Sequence, residues 1–409
     1  MHYLVIAIII VMTAFNVFVE ALNYRNRNQE LPDNVKGLYD EAKYSSWLKY
    51  TMENFRLGII RSVVMTLVLV SLLLSGFFGV LETLVMSMTG SATFQIALFL
   101  WFVYLIITII GIPFRYHKTF VIEEKYGFNK TTKGLFFFDI LKSLVLASVL
   151  GGGAVTLLGG VFIAFADKLV LLLLISYLVI VGLTVLVFLL SGVFIRAFNK
   201  MKPLEAGSLK DKINELALKL GFSIKRIYVM DASKRSTKLN AFFTGLGKTR
   251  EVALYDTLVE NMTEAEIIAV LAHELGHATY KDSLKLLIRQ NLVFAIYVVL
   301  LGLILSVETF FTGFGLAGVN YGFALLLLIL LIEPLDVLIG ILLNHLSRVA
   351  EYRADAFAKK HADAASIQGA LKKLAVANYA NLTPHPLYQL LHYSHPTISK
   401  RLSAIERNE

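Results

Sequence analysis

The chain has 409 residues, of which 56% are hydrophobic and only 17% charged, with a mean hydropathy of +0.67. Those values lie outside the range of soluble domains and point to a membrane protein. The absence of cysteine excludes a disulfide framework and any thiolate metal site, and the formal charge of +9 reads as loop cations that orient membrane spans, with no nucleic-acid partner expected.

In chain order, seven apolar segments are long enough for the roughly 20 helical residues a bilayer needs: about 3–22, 62–88, 96–114, 143–165, 169–195, 283–307 and 322–345. The first has no Lys or Arg before it and no small-residue cleavage site after it, so it reads as a retained span, not a secretory signal. Gly151, Gly152 and Gly153 mark a thin or bent place in the fourth span, suited to close backbone approach. Cations cluster after span one (Arg25, Arg27, Lys36, Lys43, Lys49, Arg56) and after span three (Arg115, Lys118, Lys125, Lys130, Lys133). The loops after spans two and six have none, and the loop after span four has only Lys168. Positive loops stay cytoplasmic, which puts the N-terminus outside or lumenal and the C-terminus inside. The expected compartment is the plasma membrane of a prokaryote or the endoplasmic reticulum of a eukaryote. The sequons at Asn129, Asn261 and Asn381 then face the side where glycans are not added.

Two stretches, about 197–282 and 346–409, are too polar and too long to be connections, and both fall on the cytoplasmic side. The expected organisation is spans one to five over 1–196, with cytoplasmic loops 23–57 and 115–142. A first part of a soluble domain follows over 197–282, then spans six and seven over 283–345, then the second part over 346–409. The first part opens with an amphipathic helix in which Leu209, Ile213, Leu216, Ala217 and Leu220 share a face and Gly221 ends it. IKRIYVMDA and NAFFTGLGKTREVALYD read as short strands around a Gly-containing turn. Thr263 with Glu266 forms a capping box that opens the next helix. The second part reads as helices near 347–361 and 366–379, then a Pro- and His-bearing tail. The fold class is therefore mainly α and polytopic, with one α+β domain divided by spans six and seven.

The capped helix carries the stretch IIAVLAHELGHATYKD. Residues four apart project from one face of a helix, so His273 and His277 can both reach one metal ion. Glu274, about 100° around the helix from His273, is placed to hold a water without being a ligand. Imidazole nitrogens suit zinc, and a catalytic zinc keeps three protein ligands and one open position. In SRVAEYRADAFA, which begins as the last span ends, Glu351 and Asp355 lie four apart on one helical face. Glu351 would complete a His₂Glu site, and Asp355 could accept a hydrogen bond from a ligating imidazole. Taken alone, Glu351 reads better as a solvated helix residue than as a ligand.

Six stretches together bear on that choice: EEKYGFNKTT at 123–132, STKLNAFFTGLG at 236–247, VALYDTLVE at 252–260, LAHELGHATYKD, SRVAEYRADAFA, and HYSHPTISKRL at 392–402. In this order, with seven apolar spans around them, the chain resembles the type 1 CaaX prenyl protease family, integral-membrane zinc endopeptidases of the a-factor-converting type. The resemblance covers essentially the whole chain and shows no departure at His273, Glu274, His277 or Glu351. It implies one zinc ion per chain on His273, His277 and Glu351, with Glu274 as general base, in a gluzincin-like domain. It also implies a chamber enclosed by the seven helices with the zinc site capping its cytoplasmic end.

The expected reaction is hydrolysis of peptide bonds near the C-terminus of prenylated or other hydrophobic, membrane-associated substrates. A zinc site at the membrane edge makes sense if the substrate is itself held by the bilayer. Glu274 would take a proton from the attacking water and pass it to the leaving amine. His395 is the candidate donor to the oxyanion, with Arg401 as an orienting or charge-stabilising partner; His395 as a turn residue before Pro396 is the alternative. Residues Asn240, Ala241, Phe242, Phe243, Thr244 and Gly245 are candidates to hold the peptide as an added strand, unless they form an ordinary core hairpin. Asn16, Glu20, Arg289, Gln290, Asn291, Glu333 and Asp336 lie inside spans and are expected to line a water-filled cavity; a plain Arg289–Asp336 pair is the alternative. Two other functions compete: a membrane quality-control zinc protease of the heat-shock type, and a seven-span transporter or receptor in which the metal motif is incidental.

Overall fold

The computed structural model describes residues 1–244 and 249–407. Seven helices come first: α1 (His2–Asn26), α2 (Glu41–Leu74), α3 (Phe77–Met88), α4 (Ala92–His117), α5 (Lys133–Leu146), α6 (Gly152–Ala164) and α7 (Leu169–Phe198). A small α/β segment follows with β1 (Met201–Pro203), α8 (Ser208–Lys219), β2 (Ser223–Met230), β3 (Ala241–Thr244) and β4 (Thr249–Tyr255). Next come α9 (Asp256–Asn261), α10 (Glu264–Thr279), α11 (Asp282–Leu305), α12 (Thr309–Thr312) and α13 (Tyr321–Leu331). The chain closes with α14 (Glu333–His361), α15 (Ala364–Ala377), α16 (Pro386–His392) and α17 (Ile398–Arg407).

Six helices among the described residues are long and apolar enough to cross a membrane, and seven when α13 and α14, bent by 50°, count as one span. The bend falls where Pro334 occupies the first turn of α14, because proline lacks the N–H that would continue the preceding helix. The segment expected as span two differs from its reading. α2 already begins at Glu41, where the Asp40 side chain accepts a hydrogen bond from the Lys43 N–H, and it stops at Ser75. Gly76 then turns the backbone into the left-handed region at φ 72 before α3. Apolar composition is continuous through 62–88, so hydropathy alone misses that break. The three consecutive glycines also behave differently from expectation. A wide helical turn over Ala147–Gly151 precedes Gly152, yet a Cβ added at Gly151, Gly152 or Gly153 would meet no other part of the protein within 4 Å. Close approach occurs instead at Gly159, where an added Cβ would lie 3.3 Å from Ile96 and 3.4 Å from Thr93 of α4.

Two apolar cores result. One lies among the spans and includes Phe78, Phe99, Phe323 and Leu301. The other joins both polar stretches, from Ile213, Val252 and Leu271 to Ala358, Leu371 and Leu402, and also takes in Val35 and Tyr39. The segment after α1 is thus part of this second core, beyond the loop role expected for it. EEKYGFNKTT ties the two halves of the molecule together. Glu123 accepts from Tyr50 Oη at 2.9 Å, Glu53 takes Lys125 at 2.6 Å and Tyr126 at 3.0 Å, and Phe128 meets Tyr379 edge-on.

The sheet has the order β1-β2-β4-β3, with β2 and β4 parallel and β3 antiparallel to β4, so β3 is an edge strand. Polar groups inside spans find local partners: Asn16 donates to Glu333 at 2.6 Å, and Asn291 accepts from Thr184 at 2.9 Å. Tyr297 hydrogen-bonds Asp336, which therefore does not need Arg289. Asn16 and Glu20 also line a cavity of about 610 Å³ with Tyr50, Tyr388 and Tyr393.

Candidate metal centre

Two helices build the site. α10 starts at a complete capping box, with Thr263 and Glu266 each satisfying the other's backbone N–H. Its inner face buries Ile267, Leu271 and Leu275, which fixes the rotation that turns His273 and His277 toward α14. Gly276 is where the two helices cross closest: a Cβ there would lie 3.2 Å from Phe357 and 3.3 Å from the Ala354 backbone. The small residue lets the ligand-bearing turns of both helices meet.

The donors converge as a metal site requires. His273 Nε2 lies 3.2 Å from His277 Nε2, and the two stand 3.5 and 3.3 Å from the Glu351 carboxylate oxygens. A tetrahedral zinc with ligand bonds near 2.0–2.1 Å holds its donors about 3.3–3.4 Å apart, so the set fits. Glu351 is 5% exposed, and its Oε2 is buried without a hydrogen-bond partner, a costly state for a carboxylate oxygen that a cation would relieve.

The far nitrogens are held as well. His273 Nδ1 lies 2.8 Å from Asp355 Oδ1, and His277 Nδ1 lies 2.9 Å from Asp282 Oδ2. A carboxylate at Nδ1 favours the tautomer whose Nε2 lone pair points at the metal. Burial pulls the His273 pKa down, but the hydrogen bonds to Asp355 and Glu351 outweigh it and raise the metal-free value to about 9. Burial pushes the Glu274 carboxyl above its ordinary range. Glu274 lines a cavity of about 280 Å³ together with His273, His277, Glu351, His395, Asn240 and Ala241.

The remaining expected residues separate. His395 Nδ1 lies 2.9 Å from Glu351 Oε1, and its side chain is 65% exposed at the cavity. Arg401 is buried behind the ligands, donating through Nε and Nη2 to both oxygens of Asp355 at 2.8 and 2.6 Å. Its Nη1 also stands 3.6 Å from Glu351 Oε2 and the side chain lines the same cavity, so the geometry is compatible with both expected roles. Asn240 and Ala241 border the cavity, while Phe242 and Phe243 line a second one of about 810 Å³ against α7 and α11, where Phe188, Leu286 and Leu287 stand beside Arg196, Glu251 and Gln290. Thr244 ends β3, and Gly245 lies outside the described residues. His385 caps α16 by accepting the Leu387 N–H. Asp282 and Arg353, which pair with each other, were not singled out in the sequence. The available signal was an acidic residue five positions beyond His277.

Residues 203–409 match the model of peptidase family M48, and residues 20–200 match a model described as CAAX prenyl protease N-terminal, five membrane helices. The chain belongs to peptidase family M48. Among its M48 relatives, a protein named probable CAAX prenyl protease 1 from Schizosaccharomyces pombe is 36% identical over 321 residues, covering 78% of this chain and 66% of that one. A CAAX prenyl protease 1 homolog from Arabidopsis thaliana is 31% identical over 98% of this chain and 96% of its own. The crystal structure of S. mikatae Ste24p aligns with a TM-score of 0.93 at 29% identity, over 99% of both chains. Family, fold and apolar helices together make this chain an integral multi-pass membrane metalloendopeptidase.

Proposed function

We propose that this metalloendopeptidase uses one zinc ion, held by His273, His277 and Glu351, to cut near the C-terminus of prenylated or similarly hydrophobic membrane-held substrates. The observation that carries the reading is the shared wall: the edge strand β3 borders the metal cleft through Ala241 and, through Phe242 and Phe243, a second cavity against the spans α7 and α11 whose wall is apolar in part. A peptide added antiparallel to that free edge gains backbone hydrogen bonds with little demand on sequence. An apolar tail finds cover beside Phe188 and Leu286. The CAAX prenyl protease names of the relatives agree with such a substrate.

Zinc bound there supplies Lewis acidity toward the scissile carbonyl and makes water reactive near neutral pH. Glu274 accepts the proton of the attacking water at its carboxylate and returns it to the leaving amine. His395 faces the cavity and donates a hydrogen bond to the developing oxyanion, while Asp355 orients His273 and is itself held by Arg401. The protease domain comprises 197–282 and 346–409 and faces the cytoplasm, the side to which the cation-rich segments after α1 and α4 belong.

The test is direct. Purified protein is incubated with a farnesylated CaaX peptide and its unlipidated counterpart, with and without a zinc chelator. The expected result is chelator-sensitive cleavage of the farnesylated peptide in preference to the other. Equal cleavage of both removes the lipid from the specificity, and chelator-resistant cleavage removes the zinc.

A further inference from the structure

His277 reaches Asp282 only because the chain breaks between them. On one continuous helix a residue five positions on lies about 140° around the axis, too far to touch. Here α10 ends at Thr279 with Tyr280 as its cap, Lys281 takes the left-handed conformation at φ 56, and α11 starts at Asp282, which turns back beside His277. A non-glycine residue in that conformation is uncommon and needs surroundings that fix it.

The surroundings are present. One carboxylate oxygen of Asp282 lies 2.9 Å from His277 Nδ1, and the other accepts a hydrogen bond from Arg353 of α14. The Arg353 guanidinium lies 4.2 Å from the centre of the Tyr280 ring, so it clasps the joint from two sides. Asp282 is 15% exposed in its side chain, and Lys285 is 3.9 Å away on the solvent side. The arrangement parallels His273–Asp355–Arg401 on the opposite flank of the site.

We propose that Asp282 is a second positioning residue of the metal centre, acting through His277 and held in register by Arg353. This inference rests on reading His273, His277 and Glu351 as the zinc ligands. Asp282 accepts a hydrogen bond from the Nδ1–H of His277, which leaves the Nε2 lone pair to face the metal. Because Asp282 is also the first residue of a membrane span, the orientation of one ligand is tied to the placement of α11.

The full-length protein in detergent tests this through zinc affinity by chelator competition, the visible spectrum of the cobalt-substituted form, and the Tm of the metal-free form. Asp282→Ala is expected to weaken zinc binding about 10–100-fold and to alter the cobalt bands. Asp282→Asn keeps an acceptor oxygen and retains affinity nearer the native value. Arg353→Ala gives a smaller loss and adds little on top of Asp282→Ala, since both act through one contact. Lys285→Ala binds zinc as the native protein does. Native affinity and native cobalt bands in Asp282→Ala overturn the proposal, as does an Asp282→Asn loss equal to that of alanine and tracking a fall in metal-free Tm. His277→Ala in the same assay guards the premise: if it keeps zinc, the ligand assignment fails, whatever Asp282 does.

Discussion

Glu274 and Glu351 are both carboxylates within reach of His273, and their surroundings give them different work. Glu351 offers an unpartnered buried oxygen among two imidazoles, whereas Glu274 lines the cavity and is pushed toward its neutral form by burial. Glu274→Ala is therefore expected to abolish cleavage with zinc content intact, measured by elemental analysis beside a peptide assay. Glu351→Ala should lose both, and full zinc with full rate in that variant would require another third ligand. His395 and Arg401 divide similarly. His395→Ala should lower kcat about 10²–10³-fold, leaving KM and zinc content nearly unchanged, because an oxyanion donor acts chiefly in the transition state. Arg401→Ala instead leaves Asp355 buried without its bidentate partner, so Tm and zinc retention should fall together with activity. Unchanged Tm and zinc content with a pure kcat loss in Arg401→Ala would move that side chain to the substrate.

At the scale of the element, the crossing of α10 over α14 decides whether three donors meet. Gly276→Ala would press a methyl group against Phe357 and the Ala354 backbone at 3.2 and 3.3 Å, and the helices would have to part by a few tenths of an ångström. Overpacking of this kind costs about 1–3 kcal/mol. We expect a lower Tm and weaker zinc binding with Glu274 chemically untouched. Native values of both would show that the crossing tolerates more slack than the donor spacing implies. The helix start, the histidine spacing and the strand segments were all legible in sequence, because they depend on local periodicity and capping. The break at Gly76 was not, since it sits inside an uninterrupted apolar run and only its backbone angle distinguishes it.

The whole molecule offers a clean route to its orientation, because the chain contains no cysteine and each introduced one is unique. Single cysteines at Gly90 and Val319, between apolar helices on the side away from the metal centre, should react with an impermeant thiol reagent applied outside intact cells. One at exposed Glu205 should react only after permeabilisation. The reverse pattern would invert the topology and place the metal centre on the outer or lumenal side. Both halves of the metal site belong to one apolar core that also includes Val35 and Tyr39, so three separate segments of sequence must reach the same side of the bilayer. That requirement agrees with the positive charge flanking them.

The sequence by itself determined the membrane character, the zinc-type spacing of His273 and His277, the capped helix that bears them, and the family through motifs spread along the chain. Each depends on neighbours a few residues apart or on composition, which a linear chain displays. Only the tertiary structure decided that Glu351 stands with the histidines, that Asp282 and Arg353 flank them, and that Arg401 holds Asp355 behind the site. Residues 273 and 351 are separated by most of two spans, and nothing in their local patterns fixes how closely α10 and α14 cross. That distance is set by Gly276 meeting Phe357 and Ala354, a packing contact that exists only after the chain has folded.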